Sequence, residues 1–232
     1  MKKYVYLGCR VKKLAVDALI SCGFEPIFVP QNDKFDSSIS DHADMNILFL
    51  GNVVFSGTNV RFGVNDKVIS INRTAKEKLL YPDDAYLNCV AIGKDLICNK
   101  KSIATEVIDY ATTCGYSIIN VNQGYTKCNI AVVSEKSKAI ITEDSGIYNS
   151  LIRAGYDVCL LETHSVKLQP YEYGFIGGSC GLHNNCLYFN GNIYLHPEIE
   201  KIVSFCKKYG VEIVALSDDE LEDCGSLLFR GP

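Results

Sequence analysis

Five short segments of this sequence gather the residue types that do covalent and acid–base chemistry. They are Asp41-His42-Ala43-Asp44-Met45, Ala85-Tyr86-Leu87-Asn88-Cys89, Gln123-Gly124-Tyr125-Thr126-Lys127-Cys128, Gly174-Phe175-Ile176-Gly177-Gly178-Ser179-Cys180-Gly181 and Leu221-Glu222-Asp223-Cys224-Gly225-Ser226-Leu227. Each leads into an apolar run. A cysteine attacks carbon only as its thiolate, so a nucleophile needs a group that stabilises that anion. A histidine moves protons near neutral pH. Carboxylates hold planar cations through charge-assisted hydrogen bonds.

The plainer reading stands beside the chemical one. There are eleven cysteines, an odd number, scattered through apolar stretches with no CxxC pair. Any one of them reads first as a small buried apolar side chain. Cys180, His183 and Cys186 form the nearest approach to a metal cluster, yet a fourth ligand is missing and no zinc spacing is matched. The sequence therefore calls for no metal and no cofactor. Asp223 also reads as a turn residue after the acidic run Asp218-Asp219-Glu220-Leu221-Glu222. His183 and His196 read as surface residues on hairpin segments, and His164 has no evident partner.

A recurring phrase supplies the elements that position these segments: a helical pattern, then a glycine usually followed by an aromatic, then a β-branched run. It runs through Cys22-Gly23-Phe24, Cys114-Gly115-Tyr116, Ala154-Gly155-Tyr156 and Tyr209-Gly210-Val211. Glycine just past a helix adopts the left-handed conformation at little steric cost. Between the phrases lie hairpin patterns: Asn46–Phe49 with Val53–Phe55, Cys89–Ile92 with Asp95–Cys98, Asn129–Val133 with Ala139–Thr142, and Cys186–Phe189 with Asn192–Leu195. The unit is strand, strand, helix, strand, repeated roughly every 40–55 residues, a period that marks a repeat architecture. The first complete unit, after Asn46, is irregular, with a short helix expected at Ala75–Leu80 and no glycine. The chain opens on a strand and helix and ends on a strand at Ser226–Phe229. Pairing of those ends closes five units into a ring, a single α/β domain over residues 1–232.

Charge and composition narrow the partners. The net charge of −4 offers no basic face for nucleic acid and no polybasic stretch for an anionic membrane. The apolar run at Tyr4–Leu7 is too short for a signal peptide and is followed at once by Arg10, Lys12 and Lys13. The expectation is a cytoplasmic protein with reduced thiols, acting on a small molecule.

The five approach segments resemble those of the pentein superfamily, the guanidino-group-modifying enzymes. Gln123–Cys128 is similar to the family's cysteine motif, His42-Ala43-Asp44 to its His-x-Asp motif, and Asp223-Cys224-Gly225-Ser226 to its acidic motif. The motifs follow the family's cyclic order entered at a different unit, as in a circularly permuted bacterial branch. The resemblance implies a five-unit α/β propeller and a covalent mechanism. Cys128 is then the nucleophile and His42 the general acid–base. Asp44, Asp223 and Lys127 form the substrate-binding set, the two carboxylates holding an amidino or guanidino group and Lys127 also helping to lower the thiol pKa. Two departures stand out: Phe175-Ile176-Gly177-Gly178 lacks the carboxylate the family carries in its fourth unit, and Ser226 replaces an aspartate. A cysteine-dependent hydrolase or transferase acting on an amidino or guanidino C–N bond is the leading expectation, with the hydrolase favoured. A non-catalytic binding module and an enzyme using Cys180 are the alternatives.

Overall fold

A computed structural model of the chain describes residues 2–63, 65–73 and 77–231. The two ends of the chain share the first sheet. β1 (Lys3–Gly8) leads through α1 (Lys13–Ser21) to β2 (Phe24–Val29). The one-turn α2 (Ala43–Asn46) opens the first complete unit, followed by β3 (Ile47–Leu50), β4 (Val53–Ser56) and β5 (Lys67–Ser70). The third sheet holds β6 (Val90–Ile92), β7 (Asp95–Cys98) and β8 (Ser117–Asn120), with α3 (Thr105–Thr113) between the last two. Next come the one-turn α4 (Thr126–Asn129), β9 (Ala131–Ser134), β10 (Ala139–Thr142), α5 (Ser145–Arg153) and β11 (Asp157–Leu160). β12 (Cys180–His183), β13 (Cys186–Phe189), α6 (Ile199–Lys208) and β14 (Glu212–Ala215) form the fifth sheet. Finally β15 (Leu228–Arg230) returns to β1.

All five sheets share one plan. An inner strand (β3, β6, β9, β12 or β15) pairs antiparallel with a middle strand. That middle strand pairs parallel with an outer one. The parallel pairing needs a crossover, and four of the five crossovers are helical. The result is a five-unit α/β propeller, the pentein fold.

The helices form where apolar residues recur on one face. α1 buries Ala15, Val16 and Leu19, α3 buries Val107 and Ala111, α5 buries Ile147 and Leu151, and α6 buries Ile202 and Cys206. Each ends at a glycine with positive φ: Gly23 at +87°, Gly115 at +72°, Gly155 at +82° and Gly210 at +65°. The four predicted stops are thus the four observed ones.

Two units depart from expectation. Cys186–Phe189 pairs with Cys180–His183 rather than with Asn192–Leu195, where Ile193–Leu195 forms a 3-10 turn. In the first complete unit the crossover from β4 to β5 has no helix among the described residues, and β5, with only Ile69 half-buried, carries no strand signal in its sequence. The short helix expected at Ala75–Leu80 begins outside the described residues; Glu77–Leu80 is not helical. The last strand starts two residues later than expected, because Ser226 takes a left-handed conformation at φ +65°. His183 and His196 are buried rather than on the surface. His183 packs edge-on against Phe24, and His196 Nδ1 accepts from the Glu198 N–H at the start of α6. No helix among the described residues is long and apolar enough to cross a membrane.

Candidate active site

Each inner strand is entered through a short turn, and these turns converge. Cys128 lies on α4. Asn88, from the approach to β6, clamps that turn: its Oδ1 accepts from Lys127 N (2.7 Å) and Cys128 N (3.3 Å). Its Nδ2 lies 3.1 Å from Cys128 Sγ, positioned to donate to the sulfur. From the other side the thiol donates to Asp44 Oδ2 at 3.3 Å. Three units therefore fix one sulfur atom.

His42 and Asp223 meet from opposite ends of the chain. His42 Nδ1 is 3.8 Å from Asp223 Oδ1 and has no hydrogen-bond partner, although the ring is buried. Asp223 accepts from Gly225 N and Phe175 N, both at 3.0 Å. The approach is too close for side chains nearby. A Cβ on Gly178 would stand 2.1 Å from Asp223 Oδ1, and one on Gly225 would stand 2.2 Å from His42 Cβ. Arg10 braces the segment before His42, giving its backbone N–H and its Nε to the Asp41 carboxylate at 2.9 Å each.

A second polar layer lies beneath the sulfur. Ser226 Oγ is 2.5 Å from Asp44 Oδ2 and 2.9 Å from Gly177 O, so its single proton serves one of the two. Lys127 Nζ donates to Ser226 Oγ at 2.9 Å and to Gly177 O at 3.3 Å. Ser226 thus links Lys127 to Asp44. The other oxygen of Asp44, Oδ1, is buried without a partner.

Burial controls the electrostatics. It pushes the Cys128 thiol well above its ordinary value, and the negative charges of Asp44 and Asp223 push it further. Hydrogen bonding from Asn88 acts the other way. Burial raises the Asp44 carboxyl and takes Asp223 up to about 6, while the positive charge of Lys127 opposes both shifts. Burial lowers His42, against the pull of Asp44 and Asp41, so its imidazole is neutral at pH 7. The Lys127 ammonium is directed at Ser226 and Gly177 and acts on the two carboxylates.

A pocket of about 320 Å³ opens above the sulfur and is lined by Cys128, His42 and Asp223. Its remaining wall is Ile39, Met45, Tyr125, Phe175 and the segment carrying Leu168, Tyr171, Glu172 and Tyr173. Asp44 and Lys127 lie elsewhere. They border a separate cavity of about 170 Å³ among the inner strands, on the far side of the thiol. Asp44 Oδ2 accepts from the Cys128 thiol, so its carboxylate meets the pocket through the sulfur. Cys180 borders that same axial cavity, fully buried, with burial pushing its thiol up to about 12. It has no place in the pocket.

Three residues escaped the sequence reading. Asn88 sits in the unit that carries no family motif, and an asparagine before a strand gives no distinctive signal. Tyr125 lies inside the cysteine motif but looked like spacing; its hydroxyl donates to Asp84 Oδ2 at 2.7 Å. Glu143 is buried at the start of α5, accepts from Ile176 N at 2.9 Å, and is pushed up to about 7 by burial. His164 lies beside it, with Nδ1 3.9 Å from Glu143 Oε1 and its ring stacked on Tyr173. Among the described residues no group of three or more His, Cys, Asp or Glu side chains could hold a metal ion.

Solved structures share this architecture. A dimethylarginine dimethylaminohydrolase from Pseudomonas aeruginosa, a cysteine-to-serine variant complexed with citrulline, is 10% identical with a TM-score of 0.57 over 94% of this chain and 93% of its own. An amidinotransferase of the saxitoxin biosynthetic pathway from Microseira wollei is 11% identical, TM-score 0.55, over 87% and 72%. The agmatine deiminase of C. jejuni is 10% identical, TM-score 0.53, over 93% and 88%. At such identities the likeness speaks for the fold. No curated protein matches the sequence. Residues 7–228 match the family described as "Family of unknown function (DUF6873)", and this chain, a pentein-fold protein, belongs to that family.

Proposed function

We propose that the protein is a cysteine-dependent hydrolase of an amidino or guanidino C–N bond in a small molecule. The observation that carries this reading is the Cys128 thiol held between Asn88 and Asp44 at the floor of a pocket that also presents His42 and Asp223. Relatives in fold act on such groups: the similar structures include a dimethylaminohydrolase, an amidinotransferase and an agmatine deiminase.

In the empty site the thiol is protonated, because a thiolate would be buried beside two carboxylates. A planar cation entering the pocket reverses that balance. It pairs with Asp223, and its charge stabilises the thiolate beneath it. The thiol proton passes to the neutral His42 imidazole across the pocket, and the sulfur attacks the amidino carbon to form a C–S bond. His42, as imidazolium paired with Asp223, gives a proton to the departing amine as the C–N bond breaks. The remaining thiouronium is then attacked by water, whose proton returns to neutral His42. Breaking of the C–S bond releases a ureido product and the thiolate. Asp44 and Ser226 orient the sulfur throughout, and Lys127 keeps the carboxylate pair from over-accumulating negative charge.

The test is turnover of simple alkylguanidines and arylalkylguanidines, followed as amine or ammonia release. Wild type releases product, and Cys128→Ala and His42→Gln do not. Turnover retained in Cys128→Ala would sink the mechanism. A second reading, a non-catalytic binding module, draws on Phe175-Ile176-Gly177-Gly178, which supplies no carboxylate to the pocket. It predicts cation binding with equal affinity in wild type and Cys128→Ala and no turnover in either.

A further inference from the structure

The wall of the pocket differs sharply from its floor. Tyr171, Tyr173 and Phe175 occupy alternate positions of one segment, and all three line the pocket. Leu168, Met45 and Ile39 complete that side. The lining rings Tyr173, Phe175 and Tyr125 run in series, Tyr173 to Phe175 at 6.2 Å between centroids and Phe175 to Tyr125 at 6.4 Å, and are backed outside the pocket by His164, 4.1 Å from Tyr173, and Tyr81, 5.2 Å from Tyr125. Tyr171 and Tyr173 keep 47% and 37% of their surface exposed, so this wall has apolar area left to cover.

Charge is placed just as unevenly. Among the described residues lining this pocket none is lysine or arginine. Glu172 is the one carboxylate on the wall besides Asp223, and it is exposed. Arg10 borders the adjacent polar cleft, where Asp41 and the Ser38 carbonyl already take its guanidinium. A ligand whose far end is a carboxylate therefore finds no free cation in the pocket. A far end that is ammonium finds only a solvated glutamate, a contact worth little. A flat or branched apolar group finds the aromatic wall.

We infer that this pocket selects an amidino or guanidino head carrying a compact apolar tail, aryl or branched alkyl, over amino-acid and polyamine guanidines. The inference rests on the reading of the site given above. The head lies over Cys128 beside Asp223, and the tail lies against Tyr171, Tyr173 and Leu168.

Calorimetric titration of the full chain, in wild type and in Cys128→Ala to exclude turnover, tests it with five probes: guanidinium, benzylguanidine, agmatine, arginine and neutral benzylurea. Benzylguanidine is expected to bind at least tenfold tighter than guanidinium, and agmatine and arginine within threefold of guanidinium. The Tyr171→Ala/Tyr173→Ala variant, altered at exposed side chains, loses most of the benzyl advantage while guanidinium binds as before. Arginine or agmatine binding as tightly as benzylguanidine overturns the tail assignment and leaves the amidino head intact. Benzylurea binding as tightly as benzylguanidine, with guanidinium not bound, overturns the cation reading itself. An unchanged benzyl advantage in the tyrosine variant also overturns the inference.

Discussion

Two turns occupy equivalent places in neighbouring units and do opposite things. Thr126–Asn129 leads into β9 and contributes side chains, Lys127 to the axial layer and Cys128 to the pocket floor. Ile176–Ser179 leads into β12 and contributes backbone and space. Its Gly178 leaves room for the Asp223 carboxylate, and its Gly178 carbonyl accepts from Cys224 N and Ser226 N. Its Gly177 lies so close to Ile130 that a Cβ there would stand 2.5 Å from the Ile130 oxygen. Phe175 and Ile176 give their N–H groups to Asp223 and Glu143. A carboxylate at position 178 is therefore incompatible with the placement of Asp223, because any side chain at Gly178 collides with it. In a ring whose units converge on one axis, a site is built as much by which side chains are absent as by which are present.

The largest effect expected from breaking this pairing is at the third-unit turn. Cys128→Ala lowers turnover by ~10³-fold or more, the scale typical of a removed nucleophile, with a melting temperature near that of wild type.

Next comes the carboxylate pair held by the fourth-unit turn. Burial raises Asp223 from 3.8 to about 6 and Glu143 from 4.5 to about 7. The folded state then binds more protons than the unfolded state between about pH 4 and pH 7, so stability falls as pH rises through that window. Each group contributes on the order of 1–3 kcal/mol to the fall. Thermal or urea unfolding against pH checks this, and Asp223→Asn flattens the lower half of the curve while Glu143→Gln flattens the upper half. A profile that rises across the same window contradicts the burial argument.

Gly178→Ala is expected to cost about 1–3 kcal/mol through overpacking against Asp223. In a double-mutant cycle with Asp223→Ala the double variant loses less than the sum of the two single losses, since removing the Asp223 carboxylate removes the collision. Additive losses would mean that Gly178 answers to some other constraint. The smallest effect is a control beside the third-unit turn. Asp144 caps α5 by accepting from Ile147 N at 2.7 Å, and its other oxygen accepts from Gln123 Nε2. Asp144→Ala costs about 1 kcal/mol of stability and leaves the site chemistry unchanged.

The sequence displayed the frame more fully than the site. Four helix–glycine–strand phrases mark four crossovers because each helix must bury one face and then turn sharply at Gly23, Gly115, Gly155 or Gly210. β5 escaped notice because its alternation is weak and its surface mostly exposed. Cys128, His42 and Asp223 stood out through their motifs, and they share one pocket. Asn88 could not, since its role depends on a neighbouring unit's backbone. The direction in which Lys127 points, and the side of the sulfur on which Asp44 lies, are decided by tertiary packing between residues far apart in sequence. Glu143 and the aromatic wall at Tyr171 and Tyr173 belong to connecting segments without periodicity, where residue type alone gives no location.

The central claim is that the third-unit turn presents a thiol kept protonated in the empty site and ionised by a cation in the pocket. The most direct measurement is the ultraviolet thiolate absorbance of wild type minus that of Cys128→Ala, followed against pH with and without millimolar benzylguanidine or guanidinium. The account predicts an ionisation above the ordinary cysteine range in the empty protein and a clear downward shift when the cation is bound. A Cys128 thiolate already present near neutral pH without ligand, or a titration that the bound cation does not move, would contradict it.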